Sequence, residues 1–266
     1  MTPTDGRIDD AGFHEAVDAM HRLGFVAMQN VLPLDLVKGL AHAWDERYQS
    51  IPAERAALEV GNRRNMVTLE MSRPFNDPSL YANPYVLPVV NGLLGGEAVL
   101  MSFTCVCALP GAAAQHVHRD HPALFPETHL SGLLPCSAVT VMVPLVNLDD
   151  RTGTTAVWLG SHRGTHDEKP DWSNVGDAVL PKVNAGSVYL MDYRLTHGGT
   201  ANMSDRPRPV LSLVYARRWF IDAVNFRHQP MLDISAADLA SIPDEFAFLF
   251  SRAASPQSGP AARARI

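Results

Sequence analysis

Cysteine is scarce in this chain. There are three, Cys105, Cys107 and Cys136, too few and too odd in number for a disulfide framework. None forms a CxxC pair or a Cys/His finger spacing, which argues against a structural zinc module. Cys105 and Cys107 alternate within an apolar run, the pattern of buried strand thiols. Positive charge is also in short supply. Lys and Arg number 22 against 28 Asp and Glu, and the formal charge of −6 is the wrong sign for a partner such as nucleic acid or an anionic membrane. No long apolar run is present either. The most hydrophobic stretch, Tyr85 to Met101, is interrupted by Pro88, Gly92, Gly95 and Gly96, so it is no membrane span. The opening MTPTDGRIDDAGF lacks the basic and apolar regions of a signal peptide. The expectation is a cytoplasmic protein with no nucleic-acid or membrane partner, working as a monomer or homodimer.

Apolar material for a core is plentiful. Hydrophobic residues make up 46% and charged residues 19% of the 266, an ordinary globular composition. No internal repeat or interdomain linker divides the chain. We expect one domain over residues 1–250, then a Pro/Ala/Ser/Arg-rich tail over 251–266. Asp10 can cap a helix running to about Arg22, with Gly24 ending it. Phe25 to Gln29 reads as a strand. A second helix starts near Pro33 and carries Leu34, Val37, Leu40, Trp44 and Tyr48 as an apolar stripe. A third is expected between Asn83-Pro84 and Gly95-Gly96.

From Ala98 onward the periodicity changes. Val99 to Leu109, Ala138 to Val146, Thr155 to Trp158, Ser187 to Met191 and Val210 to Trp219 are β-branched or aromatic runs bounded by turn residues. A last helical segment is expected from Ala236 to Phe250. The fold class is therefore mainly β with flanking helices, a sandwich or barrel core. His121 to Cys136 and His162 to Leu180 are long irregular stretches, the kind that form lids or binding loops.

The chemistry concentrates in His118-Arg119-Asp120, with His197 and then Arg208 far downstream. Two imidazoles and one carboxylate can hold a non-heme iron(II) by one face and leave positions open. In extended chain, positions 118 and 120 share a side, so one segment can supply two ligands. Arg208 follows His197 at a distance that lets a strand return beside the metal. Its guanidinium suits a two-point ion pair with a dicarboxylate. His166-Asp167-Glu168 offers a rival His-x-Glu in a polar loop, with little room for strands before His197. We read it as solvated surface.

The segments QHVHRDHPALFPE, GTTAVWLGSH and GSVYLMDYRLTHGGTANMSDRPRPVLSLVYARRWF resemble the phytanoyl-CoA dioxygenase family. GFVAMQNVLPLDLVKGLAHAWDERY is similar to that family's opening strand and helix. The resemblance spans roughly residues 10 to 230. It implies a double-stranded β-helix (jelly roll, cupin-like), with Fe(II) as metal and 2-oxoglutarate and O2 as cosubstrates. By motif position it makes His118, Asp120 and His197 the iron ligands and catalytic centre, and Arg208 the clamp on the distal carboxylate. It also implies that Gln115, Thr155 and Asn65 contact the cosubstrate. In the turn Thr152-Gly153-Thr154-Thr155 the family's usual Asn is absent. Leu159-Gly160-Ser161-His162 matches a structural turn of the family. Relatives that halogenate carry a small residue at the Asp120 position, so a carboxylate there implies hydroxylation or a related oxidation.

Two other readings compete. His116-x-His118-x-Asp120-His121 spells the ligand box of metallo-β-lactamase-like dinuclear zinc hydrolases, with His197 and Asp222 as recruits. Such enzymes open with strands, whereas this chain opens with two amphipathic helices, and His228 is too close to Asp222 to serve as the last ligand. The third reading is an inactive jelly-roll binding protein, which would not need both the triad and Arg208. His116 and His121 are otherwise expected to be packing or solvent-facing. Phe103, Met66, Leu69, Met71, Leu124, Phe125, Phe220 and Phe226 lie in segments near the pocket, and most are expected in the core. No basic cluster suits a coenzyme A phosphate. The expected substrate is a small, largely apolar molecule, in the manner of a specialised metabolite.

Overall fold

Asp9, rather than Asp10, caps the first helix, because its Oδ1 accepts the Gly12 N–H at 2.7 Å. Helix α1 (Asp10–Leu23) ends at Gly24, whose φ of 72° lets its N–H reach the Met20 carbonyl. Helix α2 (Leu34–Tyr48) buries Val37, Leu40, Ala43, Trp44 and Tyr48, the stripe its spacing predicts. A short α3 (Pro78–Tyr81) precedes α4 (Leu87–Leu94). The start of α4 falls later than Asn83-Pro84. Asn83 is buried and bonds to the Val31 and Ser79 carbonyls and the Tyr85 N–H, which makes it a turn anchor.

The structure, a computed structural model, describes residues 6–48, 58–125, 128–163, 177–227 and 229–253. The rival His166-Asp167-Glu168, His228 and the tail from residue 254 lie outside them, as does most of the stretch from His162 to Leu180. Among the described residues no helix is long and apolar enough to cross a membrane.

The strands are β1 (Phe25–Met28), β2 (Leu58–Glu59), β3 (Arg64–Thr68), β4 (Val99–Ala108), β5 (Ala138–Pro144), β6 (Thr155–Val157), β7 (Val188–Asp192), β8 (His197–Gly199) and β9 (Arg208–Ala216). Seven of them form one antiparallel sheet in the order β1-β7-β5-β9-β4-β3-β2, and β6 pairs with β8 in a second. Isolated bridges from His118 to His197 and from Val179 to Val157 widen the second sheet on both sides. Two sheets in this arrangement are the double-stranded β-helix that the sequence suggested.

Alternation gives the large sheet two different faces. Val139, Val141, Leu211, Leu213, Phe103 and Cys105 point one way and join the buried cluster that includes α1, α2 and α4. Thr140, Met142, Ser212, Val214, Thr104 and Val106 point the other way and line a cavity between the sheets. A bulge between Leu100 and Ser102 reverses the phase of β4, placing Leu100 in the helix-side core and Ser102 on the cavity. The closing segment divides into α5 (Ala236–Ala240) and a tighter 3-10 turn, Asp244–Phe250. Pro243 between them has no N–H to continue one helix.

Candidate active site

His118 and His197 face each other as a reciprocal backbone pair, each N–H donating to the other's carbonyl at 2.9 Å. Directly opposed residues project to the same side, and their ring centroids lie 4.4 Å apart. The Nδ1 of His118 lies 2.9 Å from the His116 carbonyl, and that of His197 lies 2.9 Å from the Leu195 carbonyl. A carbonyl only accepts, so each Nδ1 is the donor of its pair and each Nε2 is the ring atom left to meet a metal. Burial and the neighbouring His197 lower the His118 pKa to about 3, so its ring is neutral when metal would bind.

Asp120 completes the set. Its Oδ1 is 3.5 Å from His197 Nε2, while its Oδ2 accepts the Thr140 hydroxyl at 2.9 Å. One oxygen is held by the sheet and the other is aimed at the imidazoles. Burial raises the Asp120 pKa, against the pull of His197 and Thr140, and nearby Asp222 adds to the rise. The ligand atoms of His118, Asp120 and His197 all lie within 4.8 Å of one another, and they form the one such cluster among the described residues. His116, exposed at the cavity rim, and His121, packed beside Phe220, are outside it. Asp222 is outside it as well, so among the described residues the second set of ligands needed by a dinuclear zinc centre is not assembled. Two imidazoles and one carboxylate fit iron(II).

The cavity of about 280 Å³ beside this cluster holds a second feature. Arg208, at the start of β9, is 4% exposed and Arg64, at the start of β3, is 1% exposed. Both pair with Ala108 or its neighbours across β4, which brings their side chains to one level. Arg208 Nη1 donates to the carbonyls of Thr152, Thr154 and Thr200 at 3.2–3.4 Å. Arg64 Nη2 donates to the Ala113 and Thr200 carbonyls at 3.1 and 3.0 Å, while its buried Nε has no partner. Among the described residues neither guanidinium meets a carboxylate. Burial and then Arg208 lower the Arg64 pKa to about 10, and burial lowers that of Arg208. Two buried like charges with an unused N–H suit a dianion. A dicarboxylate fits.

Gln115 and Thr155 also line the cavity. Gln115 Oε1 accepts the Gly199 N–H at 3.2 Å, and the Thr155 hydroxyl is 2.8 Å from that of Tyr189. Asn65 is a correction. It lies between Arg64 and Met66, which line the cavity, and it does not, because consecutive strand residues face opposite ways. Sequence reasoning missed Arg64, Thr140, Tyr193 and Asn225, all of which line the cavity. Of the apolar candidates, Met66 and Phe226 line it. Phe103, Leu69 and Met71 are core, Leu124 and Phe220 border a separate small cleft, and Phe125 is exposed.

The phytanoyl-CoA dioxygenase (PhyH) family model matches residues 20–210. The chain belongs to the phytanoyl-CoA dioxygenase family. Named relatives of this PhyH member include dioxygenase af480 of Aspergillus fumigatus, 29% identical over 52% of this chain and 43% of the relative. Another is the iron/alpha-ketoglutarate-dependent dioxygenase penM of Penicillium thymicola, 25% identical over 75% of this chain and 67% of the relative. The chain spans about half the length of the first of these curated relatives. Among solved structures, the non-heme alpha-ketoglutarate-dependent carbocyclase SnoK superposes with a TM-score of 0.61 at 22% identity, covering 82% of this chain and 87% of that one. The epimerase SnoN, in complex with Fe3+, alpha-ketoglutarate and nogalamycin RO, gives 0.59 at 19% identity, covering 79% and 85%. At such identities these two likenesses are of fold.

Proposed function

We propose that this PhyH protein is an iron(II)/2-oxoglutarate-dependent dioxygenase that oxidises a C–H bond of a small organic molecule with a largely apolar body. The observation that carries the reading is the pairing of two sites in one cavity: imidazole Nε2 atoms beside a carboxylate, and two buried arginines that no carboxylate of the described residues meets. His118, Asp120 and His197 would hold the iron. Arg208, with Arg64 beside it, would bind the far carboxylate of 2-oxoglutarate, and Gln115 and Thr155 would flank that cosubstrate. When bound, the iron and 2-oxoglutarate supply the activation of oxygen. The chain's part is to orient the dicarboxylate, keep the metal face open and exclude water. Asp120 fills the position that halogenating relatives leave small, which supports hydroxylation or a related oxidation. SnoK and SnoN, which share the fold, come from nogalamycin biosynthesis, and this supports a substrate from specialised metabolism.

The test is anaerobic addition of Fe(II) and 2-oxoglutarate. A weak visible charge-transfer band is expected, followed by succinate release on admitting oxygen. His197→Ala should lose both. Undiminished succinate release by that variant, or no band with the wild type, would sink the assignment.

A further inference from the structure

Asp222 is completely buried, yet among the described residues no Lys or Arg pairs with it. Four donors fill its carboxylate instead. Oδ1 accepts the N–H groups of Val224 at 2.8 Å and Asn225 at 3.0 Å. Oδ2 accepts the Tyr193 hydroxyl at 2.6 Å and Asn225 Nδ2 at 2.7 Å. That same Nδ2 also donates to the backbone carbonyl of Asp120 at 2.6 Å. A turn would be served by Oδ1 alone. Oδ2 is directed at two side chains that line the cavity.

We propose that Asp222 is a positioning residue which, through Asn225 and Tyr193, fixes the backbone of Asp120 and the adjacent cavity wall and so tunes the metal site. The inference rests on His118, Asp120 and His197 being the metal ligands. A carboxylate can only accept, and so can the Asp120 carbonyl, so the Asn225 amide must turn its NH2 toward both. Reversing the amide would set its oxygen against two acceptors. Asp222 thus dictates which way Asn225 faces, and Asn225 in turn holds Asp120 at its main chain. Thr140 holds the same residue at its carboxylate. With both ends restrained, Oδ1 is left pointing at His197. Outer partners of this kind govern how well first ligands grip.

Anaerobic titration with Co(II), followed by its visible ligand-field absorption, measures the site without turnover. Asp222→Asn and Asn225→Ala should weaken Co(II) binding about 10- to 100-fold and shift the bands of the bound ion. Tyr193→Phe, which leaves Asn225 in place, should cost only about two- to tenfold. Titrations run at a temperature where circular dichroism shows each metal-free protein folded. Should Asp222→Asn fail to fold, Asn225→Ala and Tyr193→Phe decide the matter. Wild-type affinity and spectrum in Asn225→Ala would overturn the proposal, even with a lowered melting temperature, since the role would then be structural. A wild type that takes up no Co(II) would remove the metal site itself, and this inference with it.

Discussion

Gly199 is where the two buried arginines meet. A Cβ placed there would overlap Arg64 Nη1, lie 2.9 Å from Arg64 Cζ and sit 3.2 Å from Arg208 Nη2. Gly199→Ala must therefore push flexible guanidinium ends apart while leaving His118, Asp120 and His197 in place. The expected result is a KM for 2-oxoglutarate raised roughly 10- to 100-fold, the cost of a lost charge-assisted hydrogen bond, with Co(II) affinity unchanged. Succinate-release kinetics beside the metal titration check it. At this scale several of the polar residues that the fold gathers around the cavity were legible by type. His118, Asp120, His197 and Arg208 stand in recognisable segments, and Gln115 and Thr155 follow by position. Arg64 was not legible, because GNRRNM shows no alternation of polarity from which to read a phase. The choice of Asn65 missed by one residue, which on a strand is the opposite face. Asp222 was visible only as a candidate ligand. Its role depends on a hydroxyl and an amide that only the fold brings near.

Helices α1 and α4 touch through a glycine. A Cβ on Gly92 would come 2.9 Å from Phe13 Cζ and 3.0 Å from its Cε2, so this position sets how closely the two helices approach. Gly92→Leu overfills the contact and should destabilise the fold by about 1–3 kcal/mol. Urea unfolding midpoints measure it. Elements with strong periodicity, α1, α2, β4, β5 and β9, were readable from sequence with shifts of a few residues at their ends. β8 was not, since His-Gly-Gly has no strand propensity. It is a strand because β6 and the His118 backbone bond to it on either side. β2 and β3 were missed for a similar reason: they are short and largely polar, and pairing, of β3 with β4 and of β2 with β3, rather than their own pattern makes them extended.

For the whole molecule, the half-buried imidazole of His118 links stability to acidity. Unfolded, such a group takes a proton near pH 6.5, whereas in the fold it does so only at about 3. Between those values the unfolded chain binds more protons, so stability must fall as pH falls through that window. Urea unfolding of the metal-free protein at stepped pH should show the decline. His118→Asn should flatten the slope there, and an equal slope in both proteins would contradict it.

The reciprocal hydrogen bonds between His118 and His197 join segments that leave the ribosome far apart in time. While the chain is growing, it displays His118 and Asp120 alone, a two-donor fragment with little hold on any ion. The third donor is synthesised late and arrives beside the first two only when the sheets close. A metal held by all three would have to wait for folding, so that the finished cavity, rather than the order of intrinsic affinities among cellular ions, would decide which one stays.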